Sequence, residues 1–331
     1  MKLSRLLAAA GAALLSIYII NVSPADIEAG RMKNVSVSGA AFTPAPLPSP
    51  APTAEPLLMP VSEGLEIAPP AGAAEEKEEI LETTIQGGLS IKNETSIPID
   101  IPELLRLGRS FELGAEGAQI LIIHTHGSEA YTPAGLDRYE ASDKNRTEDT
   151  QYNIVRIGDE LADIFTEAGL NVIHDREIYD YPSYTGSYTR SAAAIEKHLA
   201  EQPEIRIVLD VHRDALDSNG VIYKTMAEEE GVCASQIMLL VGSDASGLEH
   251  PNWRGNLALA LYLQETVNAH HPTLMRPVAL VKERYNQHLS PGSMIIEVGS
   301  SGNTLQEALA AIRLFARSAA PALLELTENA P

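Results

Sequence analysis

Residues 120–129 read ILIIHTHGSE. Ile120, Leu121, Ile122 and Ile123 form a short unbroken apolar run, the pattern of a strand covered on both faces. His124, His126 and Glu129 follow where that strand leaves the sheet, the end at which open α/β sheets bind their ligands. The pattern recurs twice. Residues 205–212 read IRIVLDVH and lead into Arg213 and Asp214; residues 293–297 read SMIIE and lead into Val298 and Gly299. Apolar strands therefore deliver His124, His126, His212 and Glu297 to strand ends. Neutral imidazole and carboxylate oxygen are the donors of a catalytic zinc site, which keeps one position open for water. A single histidine at a strand end is more often a hydrogen-bonded structural residue. It is the recurrence that points to a metal. The chain contains no HExxH segment, so the short zinc-protease motif gives no support.

Around these strands the periodicity alternates. Residues 127–151 are polar and too long for a tight turn, the kind of connection that carries function. Over 152–168, Ile154, Ile157, Leu161, Ile164 and Phe165 share one helical face, and Gly169 stops the helix. A strand is predicted over 170–173, ending at His174, and an amphipathic helix over 189–200. Strands follow at 205–211 and 236–241, a helix at 255–269, strands at 278–281 and 293–298, and a helix at 304–320 capped by Asn303 or Thr304. This order predicts an α/β fold: a mostly parallel, twisted sheet flanked by helices. Tyr181, Tyr184 and Tyr188, with Ser183, Thr185 and Ser187, form a hydroxyl-aromatic cluster. Such a cluster either packs its own loop or lines a groove for glycan or peptide.

The chain has 331 residues and a net charge of −21. That charge excludes nonspecific nucleic-acid binding, which needs a basic face, so no nucleic-acid partner is expected. It also disfavours charge-driven docking on anionic lipid. Cys233 is the one cysteine, which excludes an intramolecular disulfide and a Cys-rich zinc site. Lys2 and Arg5 precede an apolar run over 6–20, broken by Gly11 and Ser16. Residues 1–25 therefore read as a membrane anchor or signal, an uncleaved anchor being the favoured form, with the remainder exported. Residues 26–89 include AAFTPAPLPSPAPTAEP and the acidic PPAGAAEEKEEIL. They read as an extended linker without a core of its own. The folded domain is expected over 90–331.

The segments HTHGSEAYTP, RTEDTQYN, HDREIYDYPSYTGSYTRS, LDVHRDA and IIEVGSSGNTLQEA occur in this order. Together they resemble the stage II sporulation protein P family, a group of zinc-dependent N-acetylmuramoyl-L-alanine amidases, over about residues 90–325. The resemblance implies a zinc amidase-like fold and a peptidoglycan hydrolase that cuts the amide between N-acetylmuramic acid and L-alanine. Activity on peptide cross-links is also credited to the family. It implies action during engulfment in endospore formers, alongside stage II sporulation proteins D and M. The domain would lie outside the cytoplasm, on the membrane of the forespore septum or mother cell.

The resemblance also implies roles. His126 is the preferred zinc ligand with His124 the alternative, His212 is a second ligand, and Glu297 is the general base and acid. For the carboxylate ligand, Asp149 matches best, four residues before Asn153, although the broader family carries Glu there. Glu148 and Glu129 are the alternatives. Arg213 is expected to hold Asp214 or a substrate carboxylate, or else to form a plain structural ion pair, and Asp210 to orient a ligand imidazole. Other readings of the same fold are a noncatalytic wall-binding scaffold and a zinc peptidase acting only on cross-links.

Overall fold

Each apolar run read from the sequence as a strand lies in one sheet. The computed structural model describes residues 79–229 and 231–328. Its main sheet has seven strands in the order β2 (Ile91–Asn93), β10 (Val278–Leu280), β9 (Ile237–Val241), β11 (Met294–Ser300), β5 (Ile207–Asp214), β3 (Ile120–Ile123) and β4 (Val172–His174). Neighbours run parallel except β9 and β11, which are antiparallel. The mostly parallel α/β architecture expected from the alternation is the one observed.

Side chains alternate across the sheet with a period of two. Ile120, Ile122, Leu209, Val211, Ile296 and Val298 face one core. That core is closed by α1 (Ile101–Arg109), α2 (Ile154–Ala168), α4 (Trp253–His270) and α5 (Leu305–Glu328). Leu121, Ile123 and Val208 face the other side, against Ile195 of α3 (Ser187–Glu201). Met238, Leu240 and Ile295 continue that side beneath Tyr285. This parity sorts the candidate residues. Asp210 and His212 share the face of Val208, and Glu297 shares that of Ile295. Glu297 and His212 are also direct partners in the β11–β5 register. His124 falls on the opposite face, under α2.

Local chemistry fixes the helix ends. Asn153 caps α2 by accepting from Val155 N at 3.0 Å, and Gly169 ends it with φ of 107°. Thr304 and Glu307 form a reciprocal capping box on α5, at 3.2 and 3.0 Å. α5 continues past the expected end at 320 to Glu328, with Pro321 inside it.

A second small sheet has no counterpart in the sequence reading, which placed no strand over 215–235. Its centre is β7 (Val221–Glu229), flanked by β6 (Asp217–Ser218), β8 (Val232–Ser235) and the parallel β1 (Glu79–Thr83). β1 lies within the 26–89 stretch read as linker. It is held there by pairing Glu79 through Thr83 with Val221 through Thr225. The expected anchor, 1–25, and the rest of that stretch through 78 lie outside the described residues. Among the described residues, no helix is long and apolar enough to cross a membrane.

Candidate metal centre

The turn after β3 gives its two histidines different surroundings. His124 is fully buried. Its Nδ1 lies 3.0 Å from Val211 O, and its Nε2 lies 2.8 Å from His174 Nε2. A carbonyl only accepts, so Nδ1 carries the proton and Nε2 is left to accept from His174. Burial, reinforced by His174, pulls the His124 pKa down to about 3. Both of its nitrogens are committed, and it stands on the face away from the site.

His126 is 3% exposed, and neither Nδ1 nor Nε2 has a hydrogen-bond partner. Its ring is stacked by Tyr184 at 4.4 Å and 9°, and met edge-on by Tyr188 at 5.4 Å. It meets His212 at 5.2 Å between ring centres and 86° between planes. Burial pulls its pKa down to about 4, so it is neutral at pH 7.

His212 lies between two carboxylates. Nδ1 is 3.4 Å from Glu129 Oε2 and Nε2 is 2.9 Å from Asp210 Oδ1. Burial opposes a charge on this ring, but Asp210 and Glu129 hold its pKa well above the ordinary histidine value. Asp210 is fixed by Thr125, whose N–H and Oγ1 donate at 2.8 and 2.6 Å. Asp210 is thereby held beside the His212 ring, the residue it is expected to orient.

Of the three candidate carboxylates, the structure brings Glu129 to the histidines. Asp149 and Glu148 are exposed, and Asp149 turns Oδ1 back onto the Gln151 N–H at 3.0 Å. The residue favoured by the Glu-x-x-x-Asn spacing, Asp149, thus lies on an exposed turn apart from the histidines. Glu129 Oε2 also accepts from Arg213 N at 3.2 Å, and Oε1 faces Arg146 Nη2 at 3.4 Å. Burial would raise the Glu129 pKa; the Arg213 charge and the His212 hydrogen bond hold it far below the usual carboxylate range. Arg213 spends its guanidinium on the carbonyls of Ala130, Asn145 and Asp214. It pins the loop that carries Glu129 instead of facing a substrate, and Asp214 pairs with Arg276 at 2.8 Å.

Glu297 stands across the strand pair from His212, with Oε2 buried and unpartnered. Burial, and then the Asp214 charge, push its pKa up to about 8. Two further residues, Asp180 and Arg146, escaped the sequence reading. Asp180 accepts from Ser128 N and Oγ at 3.0 and 2.6 Å and from Arg146 Nη1. Both sit in polar loops where nothing distinguishes them from solvated charges; the one available signal was that each lies inside a segment of the resemblance.

Fold and centre together define an α/β domain with an imidazole–carboxylate cluster at the C-terminal ends of parallel strands. The model of the stage II sporulation protein P family matches residues 66–320, and the chain belongs to that family. Stage II sporulation protein P of Bacillus subtilis (strain 168) is 23% identical over 199 residues, 57% of this chain and 47% of that protein. The chain thus matches about half the length of that relative. Among solved structures, an N-acetylmuramoyl-L-alanine amidase from Clostridium difficile 630 aligns with a TM-score of 0.38 and 15% identity, over 63% of this chain and 96% of its own. AmiC2 of Nostoc punctiforme, described as an amidase of the same name, aligns at 0.38 and 13%, over 65% and 99%. The CwlD amidase from Clostridioides difficile, in complex with the GerS lipoprotein, aligns at 0.38 and 13%, over 63% and 98%.

The fit of zinc to these residues is testable on their geometry. Among the described residues, no three His, Cys, Asp or Glu side chains form a ready-made metal cage. The donor chemistry nevertheless fits. His126 has both nitrogens buried and unpartnered. Imidazoles sharing one tetrahedral zinc, at Zn–N of about 2.0–2.1 Å, set their ring centres about 5 Å apart. His126 and His212 stand 5.2 Å apart. Asp210 on His212 Nε2 leaves Nδ1 turned toward Glu129.

Proposed function

We propose that this chain is a zinc-dependent peptidoglycan hydrolase that cleaves the N-acetylmuramoyl-L-alanine amide during sporulation. The observation that carries the reading is the meeting of His126, His212 and Glu129 beside Glu297, at the ends of three separate chain segments. His126, His212 and Glu129 would hold the metal. When bound, zinc would polarise the scissile carbonyl and acidify the attacking water. The chain's own residues do the rest. Asp210 orients His212 through Nε2. Glu297, whose buried Oε2 has no partner, takes up a proton from water and returns it to the departing amine, without which an amide leaves poorly. The family reading adds the setting: a membrane-tethered domain outside the cytoplasm, acting on peptidoglycan with stage II sporulation proteins D and M.

Digestion of purified peptidoglycan tests this. New L-alanine amino termini are expected, and they disappear on chelation and in Glu297→Gln. Hydrolysis that survives both treatments refutes the mechanism. Termini that arise only from cross-links assign the chain as a peptidase, and binding without release in any condition assigns it as a scaffold.

A further inference from the structure

Asp180 and Arg146 lie outside the donor set but touch both ends of the turn that supplies half of it. The Asp180 side chain is 1% exposed. Besides its bonds from Ser128 and Arg146, its Oδ2 lies 3.9 Å from His126 Nδ1. Arg146 reaches the other way, to Glu129 Oε1. The loop bearing Asp180 meets the turn at two more places. A Cβ on Gly127 would fall 3.0 Å from Ile178 Cα and 3.3 Å from Glu177 O, so backbone lies directly on backbone. Tyr184 stacks on His126, and the Arg146 guanidinium sits 5.1 Å over the Tyr184 ring.

A histidine that gives one nitrogen to a metal needs its other N–H satisfied, and a carboxylate in that position fixes the ring and raises its basicity. Asp210 stands in that position beside His212, with Oδ1 2.9 Å from Nε2. Asp180 stands on the Nδ1 edge of His126, held in place by three donors. A buried carboxylate without such donors would be strongly destabilising.

We propose that the Asp180–Arg146 ion pair positions the metal centre. Asp180 orients His126 through its Nδ1 edge and the Ser128 backbone, and Arg146 ties that carboxylate to Glu129. The two donors of the 126–129 turn are thereby held as one unit. The inference rests on reading His126, His212 and Glu129 as zinc ligands. Asp180 and Arg146 act through those ligands and are positioning residues.

The test measures zinc affinity of the full chain by competition with a chromogenic chelator, and the visible spectrum of the cobalt-loaded protein. Asp180→Asn keeps the shape and removes the charge. It is expected to weaken zinc binding by roughly 10–100-fold, with displaced cobalt bands and an unchanged far-UV circular dichroism spectrum. Arg146→Met is expected to act in the same direction, and the double variant to lose less than the product of the two. Wild-type affinity and cobalt spectrum in Asp180→Asn overturn the proposal and leave the zinc reading standing. A wild-type chain that binds no zinc overturns both. If Asp180→Asn does not fold, Ser128→Ala removes one donor to Asp180 and no donor of the centre. Weakened zinc binding there supports the proposal, and unchanged binding overturns it.

Discussion

Glu129 and Asp149 separate cleanly once their surroundings are compared. Glu129 is buried against Arg213, Arg146 and His212, whereas Asp149 spends an exposed carboxylate on a local backbone N–H. Glu129→Gln is therefore expected to lower zinc affinity at least 10-fold, and Asp149→Asn to leave it unchanged, both read by chelator competition. Equal losses in the two variants would remove Glu129 as the ligand. Glu297→Gln is expected to retain zinc while losing hydrolysis by about 100-fold or more. Loss of the metal in that variant would make Glu297 a ligand instead. The histidines of the centre were legible because an apolar run marks its own end. Glu129 against Asp149 was not, because the choice depends on how a 25-residue polar loop folds back. His124 against His126 was not legible either: the two share one strand parity, and only the turn that follows Ile123 carries His126 away from the face beneath α2.

Among the elements, α2 shows why periodicity was a good guide to helices. Its apolar stripe is buried, and Gly158 lets it close onto the β3 end. A Cβ there would fall 2.4 Å from His124 Nε2 and 2.5 Å from His174 Nε2. Gly→Ala usually stabilises a helix interior by about 1 kcal/mol. Here overpacking is expected to reverse that, so Gly158→Ala should destabilise by about 1–3 kcal/mol in urea denaturation. Stabilisation would show that the His124–His174 pair yields easily. α2 is also joined to α5 by a bidentate pair, Arg313 Nε and Nη2 to Glu160 at 2.7 and 3.0 Å. The Arg313 hydrogen bonds hold the Glu160 pKa below its usual value. A depressed folded pKa stabilises above the unfolded pKa, and that stability is lost as pH falls through the folded one. Glu160→Gln is thus expected to cost about 0.5–1 kcal/mol at neutral pH, with the gap to wild type closing as acid is added. A gap that persists in acid would assign the effect to packing. The β7–β8 sheet was not legible for a complementary reason. It gains its order from distant partners: Asn303 donates to Thr225 O at 3.0 Å, and β1 pairs across 142 positions, Glu79 with Val221.

Over the whole molecule, the proposed ligands come from segments that only the completed sheet brings together. His126 and Glu129 follow β3, and His212 belongs to β5, some 83 positions beyond Glu129. An unfolded chain offers no such site, so zinc held by the proposed ligands would bind the folded state selectively and its binding energy would become folding energy. At free zinc a thousand times Kd this linkage amounts to about 4 kcal/mol. For a domain of roughly 250 residues each kcal/mol moves Tm by about 2–4 °C, so a rise of about 8–16 °C is expected. Glu129→Gln should lose most of that rise, and Asp149→Asn none. Because bound histidines must be deprotonated, the rise should shrink when the melt is repeated under mildly acidic conditions. A Tm indifferent to zinc at neutral pH, in a chain that still hydrolyses peptidoglycan, would show that catalysis runs without the metal and would shift the burden onto Glu297.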